Sequence, residues 1–426
     1  MRAVTRRRAA AALAAAVAIV VALTGCSAPA PEVDSPPQVE GAFSDDAQQQ
    51  LQAAVEQAMG ATGATGAIVG VWAPWSGSWV AGLGTQTPGG AAVEADMQFR
   101  IGQLTRPMTC DVLYAVAGEG LVALDAPVSD YVSGVADLDD VTLEQLCDST
   151  SGIGMYTTQL SPLMTSNPYR VWNPREVVSY GLGRQRTSEP GAALNDSDTG
   201  YVLLGLALER ATGRSAASLI QQYVSRPLGL SATALPSGAA AVPAGGAGPL
   251  TGLLSVPGAD GAIDCASPVD VSAMSASIGF TDSGVVSNVE DLRTYVQALA
   301  AGSLIPEAMA RERLEGALPA WGGAPSWLSA AGGVVQAGSL VGNYGSVRGY
   351  STAAFADPTT GLTVVVVLNN SVSGSGPALF LAWELAALAS KLPAATGETA
   401  PEAGLPWTAE QQQQAIVAGA VCPPAS

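Results

Sequence analysis

The chain contains no histidine, and its single lysine, Lys391, lies near the C-terminus. These two facts restrict its chemistry. Without imidazole it lacks the side chain that ordinarily exchanges protons near neutral pH, and it lacks a histidine ligand for zinc. Leu388 stands three residues before Lys391, so the sequence holds no Ser-x-x-Lys pair. Arginine cannot substitute as a base, because a guanidinium with pKa about 12.5–13.8 keeps its proton. None of the five cysteines stands in a Cys-x-x-Cys pair, which argues against a metal site.

The thiol of Cys26 has a context of its own. Arg2, Arg6, Arg7 and Arg8 precede an apolar run over 9–23, and Leu23-Thr24-Gly25-Cys26 closes it. A positive start, an apolar core and small residues at the end describe a secretory signal. The run is shorter than the ~20 residues of a membrane-spanning helix. Leu-x-Gly-Cys is the bacterial lipoprotein pattern, in which the cysteine thiol is acylated. The expectation is a leader over 1–25 that is removed, with Cys26 as the lipid anchor. The protein is then exported and held on the outer face of the cell membrane. An uncleaved anchor helix with a chance cysteine is the alternative. Residues 26–43, rich in Pro, Ala and acid, read as a flexible linker.

Cys110, Cys147, Cys265 and Cys422 remain, and an oxidising compartment permits two disulfides. Of the three pairings, Cys110–Cys147 with Cys265–Cys422 is the one favoured; four buried free thiols is the alternative. The net charge is −18 with the four leader arginines counted, hence −22 without them. Such an acidic chain is not expected to bind nucleic acid or to adhere electrostatically to anionic lipid.

Periodicity places the elements that position any site. Ser44 or Asp45 caps a helix with Leu51, Ala54, Val55 and Ala58 on one face. Residues 67–72 and 79–83 read as strands around Pro74-Trp75-Ser76-Gly77, with Trp72, Trp75 and Trp79 taken as core. Helices are expected over 105–118 and 199–212. Capping boxes at Thr142 and Ser287 open two more. Residues 237–261 read as an irregular excursion, 351–368 as a hairpin, and 379–390 as a closing helix. The tail over 393–426 reads as loosely held unless Cys422 pins it. Strands at both ends and helices between give an α+β fold. One antiparallel sheet is flanked by helices, with a helical insertion over roughly 105–280 of a domain spanning 44–392.

Several segments, in order, resemble one family. Phe99-Arg-Ile-Gly-Gln-Leu-Thr-Arg106 and Gly120-Leu-Val-Ala-Leu-Asp-Ala-Pro-Val128 are similar to the nucleophile segment of β-lactamase-related serine hydrolases. That group includes class C β-lactamases, penicillin-binding proteins and related esterases. Thr150-Ser-Gly152, Pro190-Gly191 through Gly205, Asp282 through Leu292, Gly342 through Tyr350 and Asp357-Pro-Thr-Thr-Gly361 continue the likeness. It implies a β-lactamase/penicillin-binding-protein-like fold over roughly 45–390.

The resemblance also implies three catalytic motifs, and the sequence departs at each. Gln103 and Arg106 stand in place of Ser-x-x-Lys. Asp196-Ser197-Asp198 stands in place of Tyr-x-Asn. Asn343-Tyr344-Gly345 replaces Lys/His-x-Gly and keeps only Gly345. A carboxamide is not a useful nucleophile for acyl transfer, and loss of a serine nucleophile costs on the order of 10⁶ in rate. Ser197 and Thr105 are hydroxyls near the old site without a base. Arg106 and Asp196 are expected to form a bidentate ion pair, with Asp198 a second carboxylate beside it. The favoured reading is a catalytically inactive member that binds a cell-wall peptide or protein partner, without metal or cofactor. The rivals are a hydrolase using other residues and a scaffold with a closed cleft.

Overall fold

The computed structural model describes residues 33, 35–134, 138–236, 248–401 and 404–422. The expected leader, the Cys26 anchor and the first part of the 237–261 excursion lie outside them. Among the described residues no helix is long and apolar enough to cross a membrane.

α1 (Asp45–Thr62) is capped by Ser44, whose hydroxyl accepts from the Ala47 N–H, and Gly63 ends it in the left-handed conformation. Leu51, Ala54, Val55 and Ala58 are its buried face. β1 (Gly66–Ala73) and β2 (Gly77–Gly84) follow as an antiparallel pair. Trp72, Trp75 and Trp79 around their turn are all buried.

The middle of the chain is helical: α2 (Thr105–Gly118), α3 (Leu143–Cys147), α4 (Thr157–Ser166), α5 (Pro174–Leu182), α6 (Asp198–Thr212) and α7 (Ala216–Ile220). Helices continue past residue 280 as α8 (Phe280–Ser283), α9 (Val289–Ala301) and α10 (Glu307–Glu312). Short ladders punctuate this layer. β3 (Phe99–Arg100) pairs with β6 (Val286–Ser287), and β4 (Leu253–Leu254) with β5 (Val269–Asp270). The last third supplies β7 (Leu318–Pro319), β8 (Leu328–Ala331), β9 (Val334–Ala337), β10 (Leu340–Val347), β11 (Tyr350–Ala356) and β12 (Thr363–Leu368). α11 (Gly376–Ala389) and α12 (Ala409–Ala418) close the chain.

One eight-stranded sheet runs β2-β1-β12-β11-β10-β9-β8-β7, so both ends of the chain build it. Its neighbours are antiparallel, yet β1 and β12 read as near-unbroken apolar runs because both faces are covered. Ile68, Trp72, Val365 and Val367 point to a core shared with the middle helices. Val69, Val71, Val364 and Val366 alternate with them toward α1 and α11. The period of two thus survives inside runs that show no polar alternation.

Two sequence expectations need revision. The linker was expected to stay flexible through residue 43. Instead Gln38 Nε2 donates to the Gly77 carbonyl at 2.8 Å, and Ala42 bridges Ser78 alongside the edge strand β2. An edge strand offers unpaired backbone groups, and the linker uses them. The box at Ser287 is displaced by one: Asn288 caps α9, its side chain accepting from the Asp291 N–H at 2.9 Å. The tail forms α12, and Cys422 is bonded to Cys265. The second disulfide, Cys110–Cys147, ties α2 to the end of α3.

Candidate active site

A cleft of about 560 Å³ opens between β10 and the helical layer. Gln103 and Arg106 line it from the start of α2, Asp196 and Tyr201 from α6 and its approach, and Tyr344 and Ser346 from β10.

Gln103 sits in a 3₁₀ turn, Gly102–Leu104, where Gly102 takes a φ of 58° that favours glycine. Its carboxamide oxygen accepts from the Ser346 backbone N–H at 2.7 Å. Gly345 makes this approach feasible. A Cβ there would lie 2.2 Å from Gln103 Oε1 and 2.5 Å from Gln103 N. The glycine that the family likeness singled out is therefore a position where strand and turn touch.

Arg106 lies three residues on. Its Nη1 meets Asp196 Oδ1 at 2.6 Å, and its Nε meets Asp282 Oδ1 at 2.8 Å. The expected ion pair exists, but it is not bidentate to Asp196: the guanidinium is shared with Asp282. Asp282 lies in the one-turn helix α8, which the sequence offers only as part of the approach to α9. The face of Tyr201 covers the guanidinium, with Cζ 4.7 Å from the ring centroid. Arg106 Nη2 is buried without a hydrogen-bond partner among the described residues. Burial lowers the guanidinium's proton affinity, but Asp196, Asp282 and then Tyr201 outweigh it and hold the pKa well above its ordinary value. A group so placed does not serve as a base.

Asp198 does not join this pair. It is buried, and its carboxylate accepts from the N–H groups of Tyr156 (2.8 Å) and Thr157 (3.2 Å) and from the Thr157 hydroxyl. It thus caps α4 from a distant position. Burial, offset in part by these donors, raises its carboxyl above the usual carboxylate range. Asn343 also turns away from ligand work. It donates to the Gly333 carbonyl at 2.7 Å, and its own oxygen accepts from the Tyr344 N–H.

Both hydroxyls beside the old site are structural. Ser197 caps α6 by accepting from the Gly200 N–H at 3.0 Å. Thr105 donates to the Gly102 carbonyl and accepts from the Val285 N–H. Among the described residues no cluster of His, Cys, Asp and Glu could hold a metal ion.

The site's residues are therefore a blocked donor, a locked cation and three carboxylates, two of them buried. Comparisons with known proteins place the fold. The family model described as Beta-lactamase matches residues 51–388. The D-alanyl-D-alanine-carboxypeptidase/endopeptidase AmpH of Escherichia coli K12 is 28% identical over 146 residues, which is 33% of this chain and 37% of that protein. Esterase EstB of Burkholderia gladioli is 27% identical over 154 residues, 33% of this chain and 39% of its own length. The chain thus spans little more than a third of the curated relatives it matches. Among solved structures, a D-stereospecific amidohydrolase from Streptomyces sp. superposes with a TM-score of 0.64 at 25% identity, covering 76% of this chain and 93% of that one. A penicillin binding protein from Bacillus halodurans gives a TM-score of 0.61 at 20% identity, covering 75% and 94%.

Proposed function

The chain belongs to the Beta-lactamase family, and from that premise we propose that it is a binding protein on the serine-hydrolase fold rather than a hydrolase. In this reading a lipid on Cys26 holds it at the outer face of the membrane. Its cleft takes a cell-wall peptide or a protein partner without forming an acyl bond. One observation carries the proposal: at the start of α2 the groups facing the cleft are a carboxamide and a guanidinium fixed between two carboxylates. Neither can be deprotonated to begin attack on a carbonyl.

The relative from Escherichia coli is named for D-alanyl-D-alanine, so D-alanyl peptides are the ligand class to test first. Incubation with a fluorescent penicillin and a chromogenic ester is expected to leave the intact mass unchanged and release no product. A D-alanyl-terminated peptide is expected to raise the melting temperature without an adduct, as mass action requires of a ligand that binds the native state. Gln103→Ser alone is expected to stay inert, because Arg106 remains the neighbour of the new hydroxyl.

The rival hydrolase reading has one contact in its favour. Thr157 lines the cleft and its hydroxyl donates to Asp198. Turnover or an adduct that disappears in Thr157→Val would establish that reading and overturn ours, as would hydrolysis by Gln103→Ser.

A further inference from the structure

Beyond Gly342, β10 has a neighbour on one side only: β9 pairs with Leu340, Val341 and Gly342, while β11 pairs with the whole of Val341–Val347. The backbone of residues 343–347 therefore turns one edge toward the cleft, and an open edge presents N–H groups that need an acceptor. At Ser346 that acceptor is the chain's own Gln103 carboxamide, 2.7 Å away. A carboxamide oxygen has the same bonding character as a peptide carbonyl. Gln103 is only half-buried and lines the cleft, so its side chain has room to leave.

Resting on the binding reading above, we propose that Gln103 is a built-in competitor for the cleft. Its carboxamide occupies the Ser346 N–H that would otherwise receive an acyl oxygen, and a ligand binds there only when the side chain swings out. The ligand class follows from the donor. It is an acceptor oxygen on a flat carbon, supplied either by an amide carbonyl or by a terminal carboxylate. The guanidinium of Arg106, whose buried Nη2 lacks a partner among the described residues, lines the same cleft.

When the competent state is only fractionally populated, apparent affinity falls by that fraction. One internal hydrogen bond of ordinary net worth corresponds to about three- to tenfold. Gln103→Ala and the shorter Gln103→Asn are therefore expected to bind N-acetyl-D-alanyl-D-alanine about three- to tenfold tighter than the wild type. Its C-terminal amide is the second probe. A gain with both points to an amide carbonyl, and a gain confined to the acid points to the carboxylate; either supports the proposal.

A second readout needs no ligand. Amide hydrogen exchange at Ser346 is expected to speed up in both variants. Unchanged exchange, or affinity no tighter than wild type for both probes, overturns the proposal, and so does an absence of binding to the variants. An acyl adduct on the intact mass overturns the non-catalytic reading alone, because it leaves the Ser346 contact and its competition as measured.

Discussion

Asp282 is where a single residue sets a measurable property of the whole chain. Its side chain is 2% exposed, and burial pushes its carboxyl up to about 6. Arg106 pulls it down, while Asp198 and Asp196 push it further up. A carboxyl that holds its proton more tightly folded than unfolded makes folding lose stability as it ionises. The loss begins near the unfolded value of 3.8 and is complete above about 6. Asp282→Asn keeps an oxygen for Arg106 Nε and removes the titration. Relative to this variant the wild type is expected to lose roughly 3 kcal/mol between about pH 4 and 6. Denaturant unfolding of both across pH 4–8 measures it, and parallel profiles would refute it. Much of the site was legible at this scale. Gln103, Arg106 and Asp196 stand where ordered segments of a known pattern place them. Asp282 was not legible, since it lies 176 residues from Arg106 and its type alone gives no sign of a partner. Ser346 was not legible for another reason: it acts through a backbone N–H that any residue except proline would offer.

At the scale of elements, caps that are local in sequence were readable and caps supplied from afar were not. Thr142 and Gln145 form the box that opens α3. At α9 the box fails because Ser287 is already engaged, paired with Phe99 in the β3–β6 ladder and with its hydroxyl 2.7 Å from Thr233 Oγ1. Asn288 then takes the cap. α4 is not legible in the sequence because it carries Pro162, buries only Leu160 and Met164, and is capped by Asp198 from 41 residues away. α12 is not legible either, because its glutamine-rich sequence shows little apolar face. Its anchors lie beside it: Trp407 donates to the Trp383 carbonyl at 2.9 Å with the rings 5.1 Å apart, and Cys422 is bonded to Cys265. That bond closes a loop of 157 residues, and long loops lose the most entropy when cross-linked in the unfolded chain. Cys265→Ser with Cys422→Ser is expected to cost about 2–4 kcal/mol by denaturant unfolding. Hydrogen exchange is expected to quicken in α12 but not in α11. Unchanged stability together with unchanged exchange would show that Trp407, the buried face of α12 and the bonds of Val421 and Cys422 to the Ala61 carbonyl secure the C-terminus without the disulfide.

For the molecule as a whole, the fold was legible because the sheet's two buried faces leave long Val-rich runs at both ends of the chain. Surface charge bears on where the chain resides. With −22 outside residues 1–25 it gains nothing overall from an anionic bilayer surface, where attraction comes from clustered lysine and arginine. Attachment through Cys26 would then be hydrophobic alone. Salt at 1 M shortens electrostatic reach to about 3 Å, yet does not weaken burial of an acyl chain. Washing membranes with 1 M salt is therefore expected to leave the wild type in the pellet and in the detergent phase of a Triton X-114 separation. Cys26→Ala is expected to move it to the soluble phase at any salt concentration, because a chain of net charge −22 outside residues 1–25 is repelled by an anionic surface. A salt-sensitive wild type would place the attachment in charge. A pelleting Cys26→Ala variant would place it in an uncleaved apolar leader, and immunoblotting for a 25-residue difference in size separates that outcome from a retained protein partner.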